Sequence, residues 1–373
     1  MGLHPGALPD FPWDSLAPFR ERALEHPDGV VDLSVGTPVD PTPALIQRAL
    51  AGAANAPGYP TTHGTLELRG AVVDWFARTR GVAGLDPAAV LPTVGSKELV
   101  AWLPALLGLS TGDVVVHPAA AYPTYAVGAT LAGASAVATD AVGDWAERDD
   151  VKLVWINSPS NPTGAVLSRD ELRDIVEAAR RIGAVVASDE CYAALPWTDP
   201  WVQDGVPSVL DPEVCGGDHT GLLALYSLSK QSSLAGYRAA FAAGDPALIA
   251  ELVETRKHAG MIVPAPVQAA MTVALADDSH VATQRDIYRN RRELLLPAVR
   301  KAGFEVSGSA AGLYLWASRD EDCWKTIEWL AERGIVAAPG SFYGAAGDRH
   351  VRIALTATNE RVRAGADRLS KDR

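Results

Sequence analysis

The sequence predicts an α/β fold, with a large domain built on a mostly parallel sheet covered by helices and a smaller α+β domain. Between residues 90 and 244, short apolar runs alternate with segments of helical pattern. The runs are uninterrupted, which is typical of strands buried on both faces of a parallel sheet. After residue 279, strands and helices follow in mixed order, as in an α+β domain.

The N-terminal part predicts mainly helices. It is rich in proline and glycine, with a helical patch at residues 13–26 and a short strand at 30–35. Helical patterns follow at 44–53 and 66–80, and in the latter the apolar residues recur at the spacing of one helix face.

The central part predicts the main sheet. Ligands bind at the carboxyl ends of the strands in such sheets. Asn157, Asp189 and Ser227 each follow an apolar run directly, so we expect them at one edge of the sheet. The predicted strands are 114–117, 136–139, 153–156, 185–188, 222–226 and 239–243, and the helices between them include 97–107, 122–132 and 169–181.

The C-terminal part predicts the smaller domain. We expect the large domain to cover residues 44–275, and the small domain to combine residues 1–43 with 276–373. The predicted elements after residue 276 are a helix at 279–302, strands at 304–306, 312–316, 336–337 and 351–354, and helices at 323–333 and from Asn359.

The composition narrows the class of function. Lys and Arg total 33 against 45 Asp and Glu, and the net charge of −12 argues against a nucleic acid or an anionic membrane as partner. Cys191, Cys215 and Cys323 show no Cys-x-x-Cys spacing, which suits a reducing compartment. No signal-peptide pattern and no apolar stretch of membrane-spanning length is visible. We therefore expect a cytoplasmic protein.

The run YSLSKQSSLAGYR brings Ser227, Lys230 and Arg238 close together directly after the apolar run 222–226. A lysine there must be solvated, paired or chemically consumed, because a lone buried charge is costly. Condensation with a cofactor aldehyde consumes the amine, and the neighbouring hydroxyl and guanidinium suit a phosphate on the same cofactor. A solvent-exposed lysine after a strand is the alternative.

Two further loops carry polar groups suited to a ring. Asp189 needs a cationic partner at the end of a buried strand, and a protonated pyridine nitrogen would serve. Tyr192 can donate a hydrogen bond to a ring oxygen. The alternatives for Asp189 are a helix cap or a metal ligand, but Glu190 and Cys191 do not complete a metal-ligand spacing. Asn161, in Asn-Pro-Thr-Gly, presents an amide to a ring oxygen or belongs to an ordinary turn.

Three more segments suit a phosphate, a ring and a carboxylate. Ser96 and Lys97 open a predicted helix, whose N-terminus presents backbone N–H groups and the positive end of the helix dipole to a phosphate. Simple capping by Ser96 is the alternative. Tyr122 suits stacking on a flat ring, or belongs to the core. Arg352, in an apolar strand, either pairs structurally or binds a carboxylate with its forked guanidinium.

In this order and spacing, the motifs resemble the class I/II aminotransferases, which are pyridoxal-phosphate enzymes of fold type I, over nearly the whole chain. The resemblance implies that Lys230 forms the Schiff base with pyridoxal 5'-phosphate and carries the proton during catalysis. It also implies contacts from Asp189 to the ring nitrogen, from Tyr192 and Asn161 to the ring oxygen, from Tyr122 to the ring face, and from Ser227, Arg238 and the N–H groups of Ser96 and Lys97 to the phosphate.

The resemblance further implies a shared active site. Tyr59 is similar to the tyrosine that members of the family extend to the phosphate of the neighbouring subunit, which implies a homodimer. Arg352 would bind the substrate α-carboxylate, with Gly36 beside it and Asn161 nearby. Ser229 is a further candidate for the phosphate. The implied partners are small amino acids and keto acids, and we expect no metal.

The substrate is predicted from less specific runs. Residues 8–14, 33–41 and 256–264 resemble the actinobacterial N-succinyldiaminopimelate aminotransferases of lysine and diaminopimelate biosynthesis, which implies a ping-pong exchange with glutamate. Another transaminase (aspartate, aromatic or alanine type), a carbon–sulfur lyase and a ligand-sensing regulator are the alternatives. A substrate with three carboxylates needs a second basic contact, for which the candidates are Arg20, Lys257, His258, Arg285 and Arg289.

Overall fold

The structure is a computed structural model that describes Leu8 and residues 12–371. Its strands are β1 (Val31–Asp32), β2 (Val90–Val94), β3 (Val114–His117), β4 (Ser135–Ala138), β5 (Val151–Asn157), β6 (Val185–Asp189), β7 (Leu222–Ser227), β8 (Ala239–Gly244), β9 (Glu305–Ser307), β10 (Tyr314–Ser318), β11 (Ile335–Val336), β12 (Ala338–Pro339) and β13 (Val351–Ala354).

The helices cover the sheets and connect them. They are α1 (Ala17–Leu24), α2 (Ala44–Gly52), α3 (Leu66–Arg80), α4 (Ser96–Leu106), α5 (Thr124–Ala132), α6 (Arg169–Ile182), α7 (Trp201–Asp204), α8 (Pro212–Cys215), α9 (Leu228–Gln231), α10 (Pro246–Ala259), α11 (Ala265–Leu275), α12 (Ser279–Lys301), α13 (Cys323–Ala331) and α14 (Asn359–Ser370). In the described part of the chain, no helix is both long and apolar enough to cross a membrane.

Seven strands form the main sheet, in the order β2-β8-β7-β6-β5-β3-β4. Neighbours from β7 to β4 run parallel, whereas β8 is antiparallel to both β7 and β2. Successive side chains of each strand enter two different apolar clusters, one on each face: in β7, Leu222 and Ala224 enter one, and Leu223 enters the other. The prediction of a mostly parallel sheet covered by helices is confirmed.

A second region is built around a four-stranded antiparallel sheet, in the order β12-β13-β10-β9. Beside it, β1 pairs in parallel with β11, so that Val31 lies opposite Ile335. Leu16 and Val31 share an apolar cluster with Leu295 and Ile353, which brings the N-terminal segment into the core of the C-terminal region. The domain division at residues 43/44 and 275/276 stays a prediction, which this pairing supports.

Side chains at the helix ends satisfy backbone groups that would otherwise lack partners. Thr65 accepts a hydrogen bond from the Leu68 N–H at the start of α3, and Ser168 forms a reciprocal capping box with Glu171 at the start of α6. Gly183 ends α6 in the left-handed conformation, with φ of 71°, which costs glycine little.

The structure differs from the prediction in several places. Strand β2 of the main sheet and the short helices α7, α8 and α9 are not among the predicted elements. The strand expected at 30–35 is limited to β1. The strand expected at 336–337 is two short strands, β11 and β12, which pair with different partners. Helices α10 and α11 are absent from the predicted elements. In α11 small alanines alternate with few large apolar side chains, so its buried face gives a weak pattern.

Candidate active site

The carboxyl ends of three neighbouring parallel strands bring polar side chains to one edge of the main sheet, as predicted. Asn157 ends β5 and lies opposite Asp189 at the end of β6. Ser227 ends β7 on the other side of β6. The Asn157 amide donates to the Asp189 carbonyl oxygen at 3.0 Å, and its side-chain oxygen accepts from the Asn161 N–H at 2.7 Å. The turn that carries Asn161 is thereby attached to the sheet edge.

Lys230 lies at this edge on α9, which begins directly after β7. Its ammonium donates a hydrogen bond to the carbonyl oxygen of Gly36, from the loop after β1. Burial lowers the pKa of Lys230, and the charges of Arg352 and Arg238 lower it further, although Tyr314 and Cys191 oppose them. A half-buried amine whose ammonium donates to a carbonyl oxygen, with the charges of Arg352 and Arg238 near it, loses its proton more easily than a solvated lysine.

Asp189 is held by two donors. The hydroxyl of Tyr125, on α5, donates to Oδ2 at 2.9 Å, and the Cys191 N–H donates to Oδ1 at 3.2 Å. Burial raises the pKa of Asp189, although the hydrogen bonds from Cys191 and Tyr125 oppose this. Sequence reasoning missed Tyr125. Its spacing of three residues from Tyr122, one helical turn on, was the available signal.

The start of α4 and the segment after α9 form an anion-binding corner. The guanidinium of Arg238 lies so close to Gly95 that a Cβ on Gly95 would come within 2.2 Å of Nη2. Gly95 immediately precedes Ser96 and the N–H groups of the first turn of α4. The Ser227 hydroxyl donates to that of Ser229 at 2.8 Å. A guanidinium beside a helix N-terminus provides the donors that a phosphate needs.

Tyr122 lies beside the first turn of α4 and beside Tyr125. The Lys97 ammonium lies 5.8 Å from the centre of the Tyr122 ring, and Tyr122 packs edge-on against Tyr125 at 6.2 Å. The Tyr122 ring is therefore adjacent to Tyr125, whose hydroxyl donates to Asp189. Its predicted stacking on a cofactor ring stays a prediction.

Arg352 extends from β13 into the same region and is 3% exposed. Its Nη1 donates to the Asn161 side-chain oxygen at 2.8 Å, and its Nη2 donates to the Ser34 carbonyl oxygen at 2.8 Å. Its guanidinium carbon lies 3.9 Å from the centre of the Tyr314 ring. Neither oxygen carries a full charge, so Arg352 is a buried cation with neutral partners among the described residues.

Tyr314, on β10, is a site residue that sequence reasoning missed. Its hydroxyl lies 3.1 Å from that of Tyr192, and a Cβ on Gly36 would lie 2.0 Å from it. Burial alone would raise the pKa of Tyr314, but Arg352, Lys230 and the Tyr192 hydrogen bond lower it below its ordinary value. Burial raises the pKa of Tyr192 well above its ordinary value. A tyrosine in an apolar strand has the pattern of a core residue, so the sequence did not indicate that Tyr314 belongs to the site.

Tyr59 stands apart from these residues within the single chain. It is fully exposed, at 101%, and the residues after it line an open groove of about 1040 Å³ together with α10. The role of Tyr59 towards a neighbouring subunit stays a prediction.

The candidates for a distal carboxylate differ in their partners. Arg20 pairs with Asp32 at 2.8 Å, Arg289 with Asp286 at 2.7 Å, and Lys257 with Glu254 at 2.5 Å. His258 is exposed near the end of α10. The Nε of Arg285 is buried and lacks a hydrogen-bond partner among the described residues. Of residues 8–14, on which the substrate prediction partly rests, Pro9–Phe11 lie outside the described residues.

These contacts define a class of enzyme. A fold-type I α/β architecture with a buried lysine, an aspartate and an anion-binding corner at one sheet edge is that of a pyridoxal-phosphate enzyme. The residues fit the cofactor, because a Cβ at Gly95 would fill the corner, and because the Lys230 ammonium donates to a carbonyl oxygen and has no acidic partner among the described residues. In the described part of the chain, no cluster of His, Cys, Asp and Glu is able to hold a metal ion.

Comparison with known proteins gives the family. The family model described as aminotransferase class I and II matches residues 28–369, and the chain belongs to this family, whose members use pyridoxal 5'-phosphate. A probable aminotransferase of Mycobacterium tuberculosis is 58% identical to this chain, over 98% of it and 86% of that protein.

Two further similar proteins have more specific names. The 4-dedimethylamino-4-oxo-anhydrotetracycline transaminase OxyQ of Streptomyces rimosus is 55% identical, over 97% of this chain and 99% of that protein. Among solved structures, a probable N-succinyldiaminopimelate aminotransferase from Thermus thermophilus superposes with a TM-score of 0.86. It is 28% identical, over 96% of this chain and 99% of that chain.

Proposed function

We propose that this aminotransferase exchanges an amino group between glutamate and N-succinyl-2-amino-6-ketopimelate. The observation that carries the proposal is Arg352, a buried guanidinium whose hydrogen-bond acceptors among the described residues are neutral, in a protein of net charge −12. It provides a local cationic site for an acidic substrate. The likeness to the Thermus protein and the runs at 33–41 and 256–264 support this particular acid.

Lys230 provides the reacting amine. When bound, pyridoxal phosphate supplies an aldehyde that forms an imine with amines and a protonated ring that stabilises negative charge on the adjacent carbon. The lowered pKa of Lys230 increases the fraction of uncharged amine, the form that attacks an aldehyde or accepts a proton. We infer that Lys230 Nζ would take the proton from the substrate α-carbon and would deliver it to the cofactor carbon that carries the aldehyde.

Asp189 and the anion-binding corner would hold the two ends of the cofactor. The Asp189 carboxylate would pair with the ring nitrogen and keep it protonated, with Tyr125 fixing the carboxylate orientation. Arg238, Ser227 and the first turn of α4 would hold the phosphate. Tyr192 and Asn161 would contact the ring oxygen.

Arg352 would hold the α-carboxylate of both substrates in turn, because one pocket serves both halves of the exchange. Asn161 and Ser34 fix the guanidinium plane through Nη1 and Nη2. Among the distal candidates, Arg285 and His258 are favoured, since Arg20, Lys257 and Arg289 already pair with carboxylates.

A second candidate function is amino transfer to a keto group of a polycyclic intermediate. The observation that favours it is the 55% identity to OxyQ, which extends over nearly the full length of both chains. Glutamate serves as a possible donor in both cases, so the acceptor distinguishes them.

An acceptor panel tests the proposal. Purified enzyme with pyridoxal phosphate and glutamate is offered N-succinyl-2-amino-6-ketopimelate, oxaloacetate, pyruvate, phenylpyruvate and a 4-oxo-anhydrotetracycline, and 2-oxoglutarate is measured. We expect the first to give the highest kcat/KM, and Lys230→Arg to be inactive with all, because a guanidinium does not form the imine. Higher kcat/KM with another acceptor rejects the proposed substrate, and pyruvate release from cystathionine alone indicates a lyase.

We further propose a homodimer in the cytoplasm. An exposed Tyr59 beside an open groove supports a partner subunit at this face, and the three cysteines are buried free thiols, as in a reducing compartment. Sedimentation equilibrium should give twice the 39.3 kDa chain mass. Mixing Lys230→Arg with Tyr59→Ala subunits should then restore activity in mixed dimers, whereas a monomeric active enzyme would reject the shared site.

A further inference from the structure

The hydroxyl of Tyr343 is buried without a hydrogen-bond partner among the described residues. The residue is 2% exposed and lies at the end of the turn Gly340–Tyr343 that follows β12. Buried polar groups nearly always have partners, so an unmet hydroxyl needs an explanation.

The loop around Tyr343 is tightly packed, which fixes the position of the ring and of its hydroxyl. A Cβ on Gly340 would lie 2.1 Å from the Gly347 carbonyl oxygen, which leaves room only for glycine where the two loop ends meet. The Tyr343 carbonyl oxygen accepts from the Ala121 N–H at 2.9 Å. Trp316 packs edge-on against the Tyr343 ring at 5.9 Å. The ring is therefore fixed beside the loop that carries Tyr122.

The ring lies next to the proposed carboxylate site. The Arg352 guanidinium carbon is 4.9 Å from the centre of the Tyr343 ring and 3.9 Å from that of Tyr314, so two tyrosines flank the guanidinium. The Nε of Arg352 is also buried, and it too has no hydrogen-bond partner in the part of the chain that the structure describes. Burial raises the pKa of Tyr343, and the charge of Arg352 opposes this, as expected for a hydroxyl close to the cation. The Tyr343 hydroxyl and the Arg352 guanidinium are thus two donors that lie close together.

We propose that Tyr343 is a substrate-binding residue, whose hydroxyl donates a hydrogen bond to the same carboxylate that Arg352 binds. The inference rests on the role given to Arg352 under Proposed function. A carboxylate oxygen accepts several hydrogen bonds, and those from an uncharged donor add to those of a guanidinium. The ligand class is the carboxylate of an amino acid or keto acid.

The test is Tyr343→Phe, which keeps the ring and removes only the hydroxyl. Glutarate, which has no amine or keto group, is titrated into the holoenzyme by calorimetry. We expect its Kd to rise roughly 10- to 100-fold, since the lost hydrogen bond is to a charged group. The KM for glutamate should rise in parallel, with a smaller change in kcat. The unfolding temperature should stay equal or increase, because the hydroxyl has no partner to lose.

Tyr226→Phe is the matched control. Tyr226 is equally buried, but its hydroxyl donates to the Gln231 side-chain oxygen at 2.6 Å. Its removal should lower the unfolding temperature and leave glutarate binding unchanged. The two variants therefore separate a ligand-binding hydroxyl from a structural one.

Three results would overturn the inference or its basis. Equal glutarate binding by wild type and Tyr343→Phe would mean that water satisfies the hydroxyl. A loss of unfolding temperature as in Tyr226→Phe, without a selective loss of glutarate, would mean a structural role. Absence of glutarate binding by the wild type would instead reject the carboxylate site at Arg352, and with it the Proposed function.

Discussion

At the residue scale, the site depends on buried charges with few charged partners. Within residues 12–371, Lys230 donates to a single carbonyl oxygen, and the acceptors of Arg352 are neutral. Unpaired buried charges are costly, and a cofactor and an acidic substrate would relieve that cost. The residues that destabilise the free protein are therefore those that prepare it to bind.

Arg352→Ala should weaken the binding of both substrates. We expect a loss of about 2–5 kcal/mol of binding free energy for donor and for acceptor, because each would leave a carboxylate without its buried cation. The measurement is KM and the Kd of glutarate. Arg349→Ala is the control, since that guanidinium pairs with Asp320 on the surface. Weakening of only one substrate would contradict a shared pocket.

Asp189→Asn should change the pH dependence of stability of the cofactor-free protein. Burial raises the folded-state pKa of Asp189 above its unfolded value, so the ionised carboxylate opposes folding. This opposition is absent below the unfolded pKa and grows until the pH passes the folded pKa. The variant should therefore gain stability over the wild type as pH rises, measured by thermal unfolding. A stability difference between variant and wild type that is constant with pH would contradict the raised pKa of Asp189.

At the element scale, the start of α4 and the segment after α9 depend on each other. Arg238 adopts a left-handed backbone conformation, with φ of 56°, and its guanidinium lies against Gly95. A helix N-terminus and a guanidinium from a different strand connection thus meet at one point. Neither element would make the anion-binding corner alone.

Gly95→Ala should weaken cofactor binding, because its Cβ would come within 2.2 Å of Arg238 Nη2 and displace the guanidinium. Gly205→Ala is the control. Its φ of 77° and ψ of 163° are close to the 78° and 153° of Gly95, so both variants carry similar backbone strain, but no atom lies within 4 Å of its Cβ. The measurement is the Kd for pyridoxal phosphate. Equal Kd values for Gly95→Ala and the control variant would contradict a displacement of Arg238.

At the scale of the whole molecule, an ion pair and the hydrogen bonds around it attach the N-terminal segment to the C-terminal helices. Arg291 on α12 is 2% exposed and binds both oxygens of Asp40, and its Nε donates to Asn359 at the start of α14. Gln284 also donates to Asp40. The loop that contains Gly36 is thereby held between the two regions.

Asp40→Ala should lower the free energy of unfolding by about 3–5 kcal/mol, because it leaves Arg291 buried and uncompensated. Asp170→Ala, whose partner Arg173 is on the surface, should cost at most about 1 kcal/mol. Denaturant unfolding of the two variants measures both. Similar losses would mean that the Asp40 pair contributes no more than a surface pair.

The sequence determined strands β3 to β8 of the main sheet and the polar residues that end β5, β6 and β7, because apolar runs and the polar residues that end them are local patterns. Lys230, Asp189 and Arg238 were predicted in this way. The tertiary structure alone decided that Arg352 meets Asn161 and Ser34, which are 191 and 318 residues away along the chain. It also placed Tyr125, Tyr314 and Tyr343 in the site. In the sequence, a tyrosine among apolar residues has the pattern of a core residue, and only packing shows where its hydroxyl lies.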